Sequence, residues 1–296
     1  MSKIKAKRGQ AVIIVLLVLV VVLTIGLSVA TNTVRDIKLS QQTELSNRAF
    51  NAAEAGIEAA LSGQLAGGTV TVGTGADAAS YNVSITTQGG VSGEAFVFNK
   101  PIAKDDTQQI WFVGHNADNS LNLSDPLNFN DKDLILYWGN PGQASNNSTT
   151  PALEISVIYQ EGGVFKMAKG VYDPNSGRLS NNNFLSVSDI SGNYLAPYNF
   201  QFKKQVDLSQ APFSIPTSGT TLYAVRLRVL YNDVSQLLGA QPADAANTFP
   251  VQGRLISSMG TASNVNRKVE VFESYPVLPP IFDYVIFNGS NNSLQK

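Results

Sequence analysis

The stretch QAVIIVLLVLVVVLTIGLSVATNTVRDIKLSQQTELSNRAFNAAEAGIEAAL, residues 10–61, decides how the rest of the chain is read. From Ala11 to Ala30 the only residues that are not aliphatic are Thr24, Gly26 and Ser28, and no charge occurs between Gln10 and Val34. Twenty residues at about 1.5 Å each span the ~30 Å hydrocarbon core of a bilayer. The run is rich in Val and Ile, which weakens a helix in water. In lipid a spanning segment must satisfy its own backbone, so helix wins. Lys3, Lys5, Lys7 and Arg8 precede it. Basic residues stay on the cytoplasmic side, which predicts a single pass with everything after Ala30 outside.

The segment admits three readings. A secretory signal has a shorter apolar region followed by a small-residue cleavage site, for which Ser28-Val29-Ala30 is a candidate. A plain anchor is the second. In the third, Arg8-Gly9-Gln10 is a processing site ahead of the apolar run, and cleavage leaves the hydrophobic helix on the mature protein.

Beyond the apolar run the pattern stays helical. Thr33 to Leu61 has no Pro and one Gly, Gly56, and its small or apolar residues recur at helical spacing, with a lapse at Gln41. Glu44 and Arg48 form an i,i+4 pair in the favourable orientation. Gly63, Gly67 and Gly68 are the stop. The expectation is one helix over residues 10–64, apolar all round in its membrane part (about 11–30) and amphipathic after it (about 31–62). Such a helix can lay its outer half on a globular domain and bury its inner half in lipid or against copies of itself. The hydrophobic effect serves both.

The segment from Arg8 to Leu61 resembles the N-terminal region of type IV pilus minor pilins of the PilX type. The matching features are the Arg8-Gly9 leader end, the apolar run, and the block Ala49, Phe50, Ala52, Ala53, Glu54, Ala55, Gly56, Ile57, read as a helix packing motif. The resemblance implies a leader over residues 1–9, cleavage between Gly9 and Gln10 by a prepilin peptidase, and methylation of the new amine of Gln10. It also implies partners: other pilin subunits through the helix, the peptidase, the pilus assembly platform and membrane lipid. After assembly the domain would stand on a cell-surface filament. Two positions depart from the family. Gln10 stands where major pilins usually have Phe, and Ile14 stands where most have a Glu thought to pair with a neighbouring amine. Both point to a minor, pilin-like or tip subunit, or to a lineage whose filaments assemble without this Glu; attachment or DNA uptake are the roles the resemblance implies. The alternative is a membrane-tethered adhesin or binding module that does not polymerise.

From Thr69 the period changes to two. Thr69–Val72, Tyr81–Thr86, Gln109–Val113, Asp133–Trp138, Leu153–Tyr159, Leu222–Tyr231 and Tyr284–Phe287 read as strands. Glu161-Gly162-Gly163 reads as a hairpin turn, and Leu255–Met259 with Lys268–Phe272 as a hairpin across residues 260–266. Asp233–Leu238 reads as a short helical turn. Strands do not alternate with helices, so the fold class is α+β: a membrane-spanning helix, then an exported, mostly antiparallel, sandwich-like β domain over 65–296.

The chemistry is sparse. There is no cysteine and one histidine, His115, which argues against a disulfide framework, a zinc site or a Ser-His-Asp triad. Asp105-Asp106, Asp125 with Asp131 and Asp133, and the Asp173-Pro-Asn175-Ser-Gly177 turn are the calcium candidates, and none matches an EF-hand loop. Trp111 and Trp138 are candidate sugar platforms but read more readily as core. The formal net charge of -1 gives no footprint for nucleic acid. The expectation is a structural protein, not an enzyme, with no cofactor.

Overall fold

The computed structural model describes residues 8–75 and 78–279, with side chains from Val12 onward. In chain order the elements are α1 (Arg8–Leu61), β1 (Gly68–Val72), β2 (Ala79–Gln88), β3 (Phe96–Val97), β4 (Thr107–Trp111), β5 (Gly114–His115), β6 (Leu121–Asn122), β7 (Asp133–Trp138), β8 (Ala152–Glu161) and β9 (Val164–Asp173). Next come the short helix α2 (Leu179–Asn182), β10 (Leu185–Ser186), β11 (Phe202–Asp207), β12 (Thr220–Leu230), β13 (Gly239–Pro242), β14 (Gly253–Ala262) and β15 (Val265–Ser274). A long apolar helix followed by antiparallel sheets makes the chain α+β. The strand expected at Tyr284–Phe287 lies outside the described residues.

The chain divides into two compact units. The first holds residues 1–85 and 256–271, and the second is built from 86–255 and 272–296. Residues 65–296, read from the sequence as one β-rich domain, thus contribute strands to both.

In the first unit α1 is one helix of 54 residues, about 81 Å long at 1.5 Å per residue. It stops where the sequence says it should. Gly63 takes φ of 73°, its N–H donates to Ala60 O, and Gln64 N–H donates back to Ala59 O. This pair of bonds satisfies carbonyls that the last turn would leave open. The sheet order is β1-β2-β14-β15, with β1 antiparallel to β2 from Gly68 opposite Val83 to Val72 opposite Ala79. Tyr81, Val83 and Ile256 face Ala52, Ile57 and Ala60 of the helix. Asn82, Ser84 and Thr86 take the exposed face of β2, the alternation a half-buried strand requires.

The second unit is a two-sheet sandwich. One sheet runs β10-β9-β8-β12-β4 and the other β11-β7-β13-β3. All pairs within them are antiparallel except β10 with β9. Leu134, Leu136 and Trp138 of β7 meet Leu153, Ile155 and Val157 of β8 and Val225, Leu227 and Val229 of β12 in one core. The β8–β9 hairpin turns at Gly162 and Gly163, both with positive φ. The β14–β15 turn is tighter than expected, only Ser263 and Asn264. Asp233–Leu238 is not helical. Its backbone is spent on other bonds: Val234 O accepts from the side chains of Asn232 and Gln236, and Gln236 pairs with Ile102.

Candidate functional site

The candidate functional surface in this fold is α1. Its side chains from Val12 through Val29 are exposed on every side of the helix. Leaving an aliphatic side chain of this size in water rather than burying it costs about 1.5–3 kcal/mol, so the surface demands lipid or protein around it. The threonine hydroxyls do not oppose this. Thr24 Oγ1 donates to Val21 O at 2.8 Å, Thr31 Oγ1 to Leu27 O and Ser28 O at 3.0 and 2.9 Å, and Thr33 Oγ1 to Val29 O at 2.9 Å. Each of these hydroxyls is returned to its own helix, so its donor does not face hydrocarbon unpaired. The helix is long and apolar enough to cross a membrane. Arg8, Gly9 and Gln10 form its first residues.

The last four turns do different work. Ala49, Ala52, Ala53, Gly56, Ile57 and Ala60 are buried, at spacings of three and four that align them on one face. Small side chains let the helix come down onto the sheet backbone. A Cβ at Gly260 of β14 would collide with the Ala49 carbonyl and lie 2.5 Å from the Ala53 nitrogen. One at Gly56 would press on the Ser258 hydroxyl, with Tyr81 Cδ2 at 2.9 Å and Val83 Cγ2 at 3.0 Å. Arg267 Nε of β15 donates to Ser46 Oγ at 2.9 Å, one turn before the contact begins. Of the residues in the expected packing motif, the structure brings together Ala49, Ala52, Ala53, Gly56 and Ile57 and half-buries Ala55. Phe50 (44% exposed) and Glu54 lie on the outward face. Ala60 belongs to the helical-period residues of the sequence though not to the quoted motif, and the sheet partners Ser258 and Gly260 are not singled out by the sequence pattern. A lone Gly inside a strand pattern is the signal that could have found Gly260, since it marks close backbone approach.

In the second unit the acidic turns are structural. Asp173 is buried, and its carboxylate accepts from Arg178 Nε and Nη2 at 3.0 and 2.8 Å, Asn182 Nδ2 at 2.9 Å and Asn175 N–H at 2.9 Å. Arg178 also ties the loop before β8 through Ser148 O and Thr150 O, each at 2.7 Å. Asp125 accepts from Leu127 N–H, Asp131 from Lys132 N–H and Asn247 Nδ2, and Asp105 from Arg228. Trp138 is core, its Nε1 donating to Pro151 O at 2.9 Å. Trp111 and His115 belong to an aromatic stack. The His115 ring lies 3.9 Å from that of Tyr275 at an interplanar angle of 8°, and meets Trp111 edge-on at 4.8 Å. Burial pushes the His115 pKa below its ordinary value.

Residues 8–58 match the family model described as PilX N-terminal. The chain therefore carries a PilX-type N-terminal region, of the kind found in type IV pilin-like proteins. The match covers α1 to within three residues of its end and none of the β strands. No curated protein and no solved structure matches the chain.

Proposed function

We propose that this protein is a structural subunit of a type IV pilus-like surface filament, a minor pilin or pilin-like protein, that works by assembly and not by catalysis. One observation carries the reading. A single unbroken helix is apolar on all sides over its first half and is the packed spine of a β unit over its last four turns. Such a helix can hold a domain outside a membrane and then exchange lipid for sister helices, with the same burial driving both states. On this reading a prepilin peptidase cuts between Gly9 and Gln10, and Gln10 receives the methyl group. The assembly platform then extracts the helix, and the β units stand on the filament, where their loops serve attachment or DNA uptake. The second reading, a tethered adhesin that never polymerises, draws on Ile14, which puts an aliphatic side chain where most pilins carry the carboxylate used for registration.

The chain has no cysteine, so a single Leu16→Cys variant gives a clean test. Oxidation of sheared surface fractions should yield a disulfide-linked dimer of this chain, or a mixed disulfide with a second pilin that is given a cysteine at the facing position. If the variant stays in the membrane fraction and never crosslinks, the chain is a tether.

A further inference from the structure

The second unit carries a cavity of about 220 Å³ beside the end of β2, and its described lining belongs to this unit alone. Phe96 and Phe249, 6% and 2% exposed, stand on its buried side. Thr87, Gln88, Glu94 and Tyr198 line it and bring a hydroxyl, an amide, a carboxylate and a phenol. Both walls are held in place. The loop after β2 is bonded to the loop before β14: Gly90 N–H donates to Phe249 O at 2.9 Å, Gly93 N–H to Asn247 O at 2.7 Å, and Thr248 Oγ1 to Val91 O at 3.0 Å. Tyr198 stands on a loop closed by Tyr194 and Phe200, whose N–H groups donate to each other's carbonyls at 3.1 and 2.8 Å. The Tyr198 N–H donates to Leu195 O at 3.0 Å, while the residue remains 44% exposed, its ring 5.9 Å from that of Phe200. A site fixed in this way before binding loses little freedom when a ligand enters.

The lining selects among ligands. It holds no Lys or Arg among the described residues, so an anion finds no counter-charge. Its one carboxylate, Glu94, lies on an exposed residue, and one exposed ring does not make the aromatic cage that a quaternary ammonium takes. A sugar ring suits what remains: its hydroxyls both donate and accept, as do those of Thr87 and Tyr198 and the amide of Gln88, and its C–H face packs on an aromatic ring. Pockets for drug-sized ligands run to roughly 300–1,000 Å³, so a smaller one takes a single ring. We propose that this cavity binds one neutral hexose unit of a glycan, with the sugar packed on Tyr198 and its hydroxyls bonded by Thr87, Gln88 and Glu94. The site gives the attachment role its ligand class and rests on that reading for its biological setting. Binding itself needs no filament, so its failure would leave the assembly reading standing.

The experiment uses the full chain in a polyoxyethylene detergent, which has neither a sugar nor an ammonium headgroup. The probes are the methyl glycosides of glucose, galactose, mannose and N-acetylglucosamine, and tetramethylammonium, each followed by saturation-transfer NMR. A ligand of about a dozen heavy atoms bound with ordinary efficiency has a Kd on the order of 1 mM, so at least one glycoside should show transfer at about that concentration. Tyr198→Ala should weaken it about tenfold through loss of the ring, and Glu94→Gln should weaken it about tenfold through loss of a charged acceptor. Both residues are exposed, so the thermal unfolding of the two variants should match that of the parent chain. No transfer to any of the four glycosides would overturn the proposal, as would transfer that survives Tyr198→Ala undiminished. Transfer to tetramethylammonium in place of the glycosides would overturn it by giving the cavity to a cation.

Discussion

Gly260→Ala is the most informative single change in the first unit. The residue is buried on β14, its φ is ordinary, and its need for glycine is purely steric: the added methyl would meet the Ala49 carbonyl, with Ala53 N at 2.5 Å and Ala49 C at 3.0 Å. All three are backbone atoms of α1. No rotamer change can relieve them, so the helix must lift off the sheet or the strand must sink. Overpacking of this kind costs about 1–3 kcal/mol. Relief of unfolded-chain entropy returns only about 0.4–1 kcal/mol. A net loss of about 1.5 kcal/mol, at about 4–8 °C per kcal/mol for a unit of this size, lowers Tm by about 10 °C. The assay is thermal unfolding of the full chain in detergent, monitored by circular dichroism, with hydrogen exchange of the amides over residues 49–60 as the local readout. Faster exchange confined to those turns is expected. An unchanged Tm and unchanged exchange would refute the close helix–sheet approach on which the packing depends.

Other expectations concern side chains nearby and in the sandwich. Ser258 Oγ is buried without a hydrogen-bond partner among the described residues, so Ser258→Ala should be neutral or stabilising by about 1 kcal/mol, the opposite sign to the change two residues along; denaturant titration reads both. Gly56→Ala should destabilise by about 1–2 kcal/mol, and adding Ser258→Ala should recover part of it, since that hydroxyl is the nearest obstacle; a double-mutant cycle with no coupling would contradict the geometry. Arg178→Ala leaves the buried Asp173 carboxylate uncompensated and should cost about 3–5 kcal/mol, read as a fall in the denaturation midpoint of the full chain. His115 is held below its ordinary pKa by burial, so the unfolded chain binds the proton more readily than the folded one. Its contribution is fully present above about pH 6.5 and is lost as pH falls below that value toward the lower folded pKa. His115→Phe should flatten the stability–pH curve between about pH 5 and 7, and an unchanged curve would contradict the assignment.

Where one interaction dominates, the sequence is readable. The helix is legible because seventeen aliphatic residues in a run of twenty, followed by a stretch without Pro, leave no competing structure, and its end because Gly63 supplies the left-handed residue that a cap needs. Asp133–Trp138 is legible to the residue, because its alternation coincides with full burial on the core side. The division into two units is not legible, since β2 pairs with β14 from near the far end of the chain, and local periodicity carries no record of partner choice. Gly260 escapes for the same reason: only the sheet order brings it under Ala49. The turn at Ser263-Asn264 reads as a longer loop because Gly260 looks like a turn residue when it is a packing residue. The Asp233–Leu238 helical turn fails because Asn232 and Gln236 side chains capture the Val234 carbonyl that a helix would have used. In the expected packing motif, composition marks the block but not its face, so Phe50 and Glu54 are included although a helix turns them away from the sheet.

The central claim is that α1 enters a filament pathway after losing its leader. The measurement that tests it most directly is the mass of the mature N-terminus, taken from membrane and sheared surface fractions with and without the cognate prepilin peptidase. A chain beginning at Gln10, methylated on its amine, is expected only when the peptidase is present. A chain that keeps residues 1–9 in both conditions, or one that begins near Thr31 after ordinary signal cleavage, would contradict the claim.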